Sequence, residues 1–276
     1  MIYAFILIVG LIAGILGGIV GTGTSIMLLP VLAYSFGPKQ AVPIMAIAAI
    51  MANIARILAW WRDIDWRAVV VYALPGIPAA ALGAGTLLAL PSGFVDIAIG
   101  AFFILMIPFR RWMHARQFTL PLWSLAIIGA AMGYLTGIVA STGPMTVPIF
   151  MSYGLVKGAL LGTEAAGSLA IYITKALTFR RFDALPLDVI LKGLIAGSSL
   201  FVGAFIAKRF VVKLDPDAFR LLMDGLMLVA GLSMFWSAFQ GWDLDSTLKR
   251  RPLLRLTLAV NPLHKVPRIP RWAGSA

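Results

Sequence analysis

Two short stretches carry the residues best suited to hold a solute. Residues 18–30 read GIVGTGTSIMLLP and residues 137–148 read GIVASTGPMTVP, about 120 positions apart. The first contains Gly21, Thr22, Gly23, Thr24 and Ser25; the second contains Ser141, Thr142, Gly143 and Pro144. Glycine permits unusual backbone angles and lets a solute approach the peptide closely. Thr and Ser add hydroxyl groups that donate and accept hydrogen bonds. A helix that restarts after such a break presents N–H groups and the positive end of its dipole. Thr24, Ser25 and Pro144 suit the cap and first-turn positions of restarted helices. Two such ends facing each other bind a small oxyanion without a full basic side chain. The plainer reading is that the small residues only allow tight helix packing. Two copies at matching places, each followed by a proline, favour the solute site.

Ionisable residues in apolar surroundings add to this. Arg56 and Lys175 stand at matching positions in the two halves of the chain, and charges within a membrane span are functional by default. Together they would make an electropositive vestibule for an anion, or each could snorkel to the membrane surface, a turn or two away. Asn53 lies one turn before Arg56 on the same side of its helix. Glu164 is an acid early in a span. A carboxyl out of water can carry a proton or pair with a base from another span. Thr163, Ser168 and Thr174 read as interhelical hydrogen-bond formers.

The elements that must position these residues are membrane helices. The 276 residues are 61% hydrophobic and 12% charged, with a mean hydropathy of +0.94. Soluble domains are nearer half apolar and a quarter charged. The apolar runs are continuous and do not alternate, which excludes a membrane barrel. They fall near 2–36, 40–61, 67–90, 93–109, 119–152, 157–179, 187–208 and 217–239. Spans one and five are too long for one simple crossing, and these contain the two breaks. The predicted fold is therefore all-α and polytopic. Two homologous halves each have one broken or re-entrant glycine-rich segment plus three helices. The halves are 1–117 and 118–240, followed by a basic, proline-containing tail at 241–276. Loop and tail Lys/Arg put both termini in the cytoplasm by the positive-inside rule, which also favours eight crossings over inverted repeats. The N-terminus lacks a basic leader and reads as a retained first helix. The tail reads as cytoplasmic, with KRRPLLRLTLAV able to lie on an anionic leaflet.

Several functions have no support. There is no Cys, so thiolate metal sites and disulfides are absent, and His114 and His264 have no metal-ligand partners nearby. Nothing resembles a P-loop, HExxH or GxSxG, so neither ATP hydrolysis nor a membrane enzyme is expected. The net charge of +12 belongs to loops and tail, as topology demands, and calls for no nucleic acid. Tryptophans near span ends, Trp60, Trp61, Trp66 and Trp123 among them, form an aromatic belt.

The chain resembles the TauE/SafE family of membrane permeases over nearly residues 1–240. The resemblance rests on the doubled glycine-rich segment ending in Pro30-Val31-Leu32 and Pro148-Ile149-Phe150. It also rests on the loop Arg62-Asp63-Ile64-Asp65-Trp66-Arg67 and on Gly162-Thr163 opening the sixth span. It implies outward movement of small sulfur-containing or carboxylate anions. The chain departs from the family at Gly23-Thr24-Ser25, where a triple glycine is usual, at Ala140-Ser141-Thr142-Gly143, and at Glu164, where a small polar residue is usual. The expected function is a secondary transporter, an exporter, of sulfite, an organosulfonate such as sulfoacetate, or a related small anion. The substrate would sit between the broken segments on Gly21–Ser25, Ser141–Gly143, Asn53, Arg56 and Lys175, with Glu164 the candidate for proton coupling. A passive anion channel is the alternative. No cofactor or metal is called for. The expected partners are the small anion and the lipid bilayer of a bacterial-type inner membrane, with a homodimer as an option: the small residues Ala79, Ala80, Gly83, Gly197 and Gly203 permit a helix interface within or between subunits.

Overall fold

The computed structural model describes residues 2–21, 24–90, 97, 100–102, 104–105, 107–109, 119–139, 142–209, 228 and 232. Among the described residues the regular structure is all helical, in the form of an α-helical membrane protein. The first apolar run is two helices, α1 (Ile2–Val20) and α2 (Thr24–Phe36). Then come α3 (Pro38–Trp60), a short 3-10 turn (Trp61–Asp63) and α4 (Trp66–Ala89). The second long apolar run is likewise two helices, α5 (Ser124–Ile138) and α6 (Gly143–Ser152), followed by α7 (Lys157–Arg181) and α8 (Leu187–Ala207). Among the described residues, four helices are long and apolar enough to cross a membrane: Ile2–Ile19, Gln40–Asp63, Trp66–Ala89 and Leu187–Ala207. Helix α7, with 25 residues, is long enough but more polar, and its residues 161–168 are all buried. It is the polar centre of the bundle. The span expected at 217–239, the tail at 241–276, and His114 and His264 lie outside the described residues.

Apolar side chains also cover the outside. Leu74 is 70% exposed, Leu82 68% and Ile127 66%. This suits a lipid-facing surface, where no hydrophobic penalty attaches to exposure. The inside is held by close backbone approach. Helix α1 packs on α8, and α5 packs on α4, through glycines one turn apart: Gly10, Gly14 and Gly18 in α1, and Gly129, Gly133 and Gly137 in α5. A methyl on Gly14 would sit 2.6 Å from the Leu200 carbonyl oxygen, one on Gly203 2.5 Å from that of Leu11, and one on Gly137 2.6 Å from that of Ala80. Without a hydrophobic drive between helices in lipid, such backbone contact is the main source of packing energy. Ala80, Gly83, Gly197 and Gly203 are buried in helix contacts within the chain.

The loop before α4 is a cap. Asp65 is its N-cap, and its carboxylate accepts from the Arg67 and Ala68 N–H groups at 3.0 and 3.1 Å. The Asp65 N–H donates to Thr163 Oγ1 at 2.9 Å, and the Tyr153 hydroxyl donates to Asp65 Oδ2 at 3.2 Å. Partial burial first, and then the Asp65 carboxylate, raise the Tyr153 phenol above its ordinary value. Of the three polar residues expected to bond between helices, Thr163 accepts across to this loop. Ser168 and Thr174 donate within α7, to Glu164 and to the Ala170 carbonyl. A hydroxyl four residues after a helical acceptor reaches it without a neighbouring helix.

Candidate functional site

Arg56 faces inward from the penultimate turn of α3, beside the small Ala52 and Ala49. It is 9% exposed, so it does not snorkel. Its Nη1 donates to Glu164 Oε2 at 2.7 Å and to the Gly21 carbonyl at 2.7 Å, and its Nη2 donates to Asn53 Oδ1. Asn53 therefore does share its side of α3 with Arg56. Glu164 is 2% exposed, and the base it pairs with comes from another helix. Its Oε1 accepts from Thr146 Oγ1 at 3.0 Å and from Ser168 Oγ at 2.7 Å. A buried carboxylate is tolerated when its lone pairs are answered in this way.

Lys175 has a different place from the one its position suggested. It is fully buried, and its Nζ donates to the carbonyls of Thr136 at 2.5 Å and Val139 at 2.6 Å. It also lies 5.6 Å from the centre of the Phe179 ring, a cation–π distance. These two carbonyls close the last turn of α5, where the chain breaks and no further helical N–H follows. A cation there also meets the negative end of the helix dipole. Arg56 does the same for the Gly21 carbonyl, just past the end of α1. Neither α1 nor α5 has a basic residue in its own last turn. The two cations are therefore not one electropositive vestibule: each answers carbonyls at or just past the end of one helix, α1 or α5, and Arg56 is paired with Glu164.

A small cavity, with room for about one water molecule, opens beside Arg56. Its walls are Gly21 after α1, Thr24 and Ser25 of α2, Ala49, Ala52, Asn53 and Arg56 of α3, Gly143 of α6, and Glu164, Ser168 and Tyr172 of α7. The structure thus brings Gly21, Thr24, Ser25, Gly143, Asn53, Arg56 and Glu164 together. Gly21 has φ +81°, a left-handed conformation, and a methyl there would also meet Leu161 at 2.9 Å. This is a position where glycine is needed. Thr142 is buried as the N-cap residue of α6, but its hydroxyl is bonded to Thr136 Oγ1 at 2.5 Å and it does not line the cavity. Pro144 stands in the first turn of α6, where its missing N–H costs nothing. Lys175 does not line the cavity, and Thr22, Gly23 and Ser141 lie outside the described residues. Sequence reasoning missed Thr146, Tyr172 and Tyr72. An intramembrane threonine next to a break is a weak signal for the first, and the tyrosines carry no signal. Among the described residues no three His, Cys, Asp or Glu side chains cluster to hold a metal.

Apolar helices around a buried charged cavity define an integral membrane protein with a polar site at depth. The sequence profile described as "Sulfite exporter TauE/SafE" matches residues 6–234, and the chain belongs to that family. It is 22% identical over 255 residues to the "Probable membrane transporter protein YjnA" of Bacillus subtilis (strain 168), covering 83% of this chain and 98% of that one. It is 27% identical over 193 residues to the "Probable membrane transporter protein y4hK" of Sinorhizobium fredii, covering 63% of this chain and 73% of that one. No solved structure matches.

Proposed function

We propose that this protein is a secondary transporter that exports a small anion across a bacterial-type inner membrane. The observation that carries the reading is Arg56: a guanidinium held inside the bundle, on the wall of a cavity where Thr24, Ser25 and Gly143 begin α2 and α6. Helix starts and a buried Arg are the two recurrent ways of recognising an oxyanion. The family and the names of the relatives support transport, and the family description names sulfite; a related sulfur oxyanion, an organosulfonate such as sulfoacetate or a small carboxylate shares its anionic chemistry.

The reading includes an internal duplication, with both termini cytoplasmic. The glycine ladders of α1 and α5, the matched jobs of Arg56 and Lys175, and the pairing of α1 with α8 as α5 with α4 support the duplication. In this reading Glu164 is the group through which protons couple to the anion.

The test is counterflow in proteoliposomes with radiolabelled sulfite and sulfoacetate. Saturable exchange, weakened by Arg56→Gln, Thr24→Val and Ser141→Ala, is expected. Unitary currents without counterflow would replace the carrier by a passive channel, and the absence of any anion flux would refute the proposal.

A further inference from the structure

The cavity contains a cation and an anion in contact, so it is locally neutral before any solute enters. A solute anion needs the guanidinium edge that Glu164 Oε2 and the Gly21 carbonyl already share. If it entered while Glu164 stayed ionised, the site would hold two negative charges against one positive, with Glu164 2% and Arg56 9% exposed. An uncompensated buried charge of this kind is strongly unfavourable.

We propose that Glu164 is a tethered stand-in for the substrate. It occupies the anion position on Arg56 while the site is empty, and it gives that position up only by taking a proton. This rests on the anion-transport reading and adds that one anion and one proton occupy the site together. The step is an acid–base exchange. A hydronium ion from the aqueous side supplies the proton: its O–H bond breaks and releases water, an O–H bond forms on the Glu164 carboxylate, and the substrate's oxygen replaces Glu164 Oε2 on Arg56.

The groups facing Glu164 suit this exchange. From α3 comes Arg56 with Asn53. From α6 comes the Thr146 hydroxyl, and from the starts of α2 and α6 come Thr24, Ser25 and Gly143. On α7 itself are Ser168, Tyr172 and Lys175. Lys175 lies eleven residues on, about 16 Å along the axis, and is held by carbonyls. From α4 comes Tyr72, which is fully buried, within the electrostatic reach of Glu164, and packed with its ring against Gly167. Among the described residues, Tyr72 Oη is the buried side-chain oxygen without a hydrogen-bond partner. An ionised Glu164 has three donors for its about four lone-pair sites. A protonated one gains an O–H to donate, and Tyr72 Oη is a buried oxygen with free lone pairs that would have to close up on Glu164, to which it is not bonded here, to accept it.

The test is the pH dependence of anion binding to the full-length protein in detergent micelles, by calorimetry. The probes are methanesulfonate, whose charge is constant across the range, and sulfate and acetate, between about pH 5 and pH 8. Wild type is expected to lose methanesulfonate affinity as pH rises, approaching about tenfold per pH unit, the slope of one proton per anion. Glu164→Gln is expected to bind at least as tightly as wild type does at low pH, with no pH dependence. Tyr72→Phe is expected to bind with the fall moved to lower pH, because the protonated carboxyl has lost its acceptor. A flat wild-type profile, or a Glu164→Gln protein with the wild-type slope, would overturn the exchange and leave the anion site standing. If Glu164→Gln does not fold, the wild-type slope decides. An unmoved midpoint in Tyr72→Phe would remove Tyr72 from the exchange. Failure of all three anions to bind either protein at any pH would overturn the transport reading and the exchange with it.

Discussion

Replacing Arg56 by Gln leaves Glu164 buried with one oxygen unanswered. Its Oε1 keeps the hydroxyls of Thr146 and Ser168 at 3.0 and 2.7 Å, but Oε2 loses the guanidinium 2.7 Å away. The Gly21 carbonyl loses its donor in the same change. Breaking a buried pair from one side costs about 3–5 kcal/mol. Glu164→Gln leaves Arg56 with Gly21 and Asn53 as acceptors, so its cost falls at about the lower end, 3 kcal/mol. The double variant Arg56→Gln/Glu164→Gln buries no charge and orphans mainly the Gly21 carbonyl, at about 1–3 kcal/mol. The double is therefore expected to be less destabilised than Arg56→Gln alone, with a coupling energy of at least about 3 kcal/mol, the upper end for residues in contact. The assay is equilibrium unfolding of the four proteins by SDS titrated into mild-detergent micelles, followed by tryptophan fluorescence. Losses that add to within about 0.5 kcal/mol would refute the pairing of Arg56 and Glu164 as mutual counterions.

Lys175→Met should cost about 1–3 kcal/mol for each carbonyl left without a donor, Thr136 and Val139, and should lower the thermal melting point in detergent. Gly83→Ala drives a methyl into the Tyr134 carbonyl and should destabilise by about 1–3 kcal/mol, whereas Gly85→Ala, with nothing within 4 Å, should be neutral or gain up to about 1 kcal/mol. Thermal unfolding of the two variants side by side separates close packing from helix propensity. Asp65→Ala should lose about 0.5–2 kcal/mol with the N-cap and let the Tyr153 phenol titrate nearer its ordinary 10.0. Because the folded-state value is raised, this contribution to stability is full below the unfolded value and disappears as pH rises through the folded one. Alkaline absorbance titration of the variant against wild type, with Tyr153→Phe to assign the signal, checks it.

Much of the cavity lining was legible residue by residue. Gly21, Thr24, Ser25 and Gly143 announced themselves by breaking apolar runs, and Arg56, Asn53 and Glu164 by being polar in spans. Lys175 was misread because its partners are backbone carbonyls, and no residue type in the sequence marks a carbonyl that has lost its helical N–H. Thr142 was misplaced for a related reason: its hydroxyl prefers the nearby Thr136, a choice made by local geometry across the break.

The sequence by itself determined that this is an α-helical membrane protein with two interrupted apolar runs and a few charges at depth. Those properties follow from composition, periodicity and the inability of Gly and Pro to sustain a helix. Only the tertiary structure decided which charges meet. Arg56 and Glu164 stand 108 positions apart, on α3 and α7, and pair because the glycine-lined contacts of the bundle bring those helices together. Electrostatics inside a membrane depends on distance through space, and distance along the chain does not encode it.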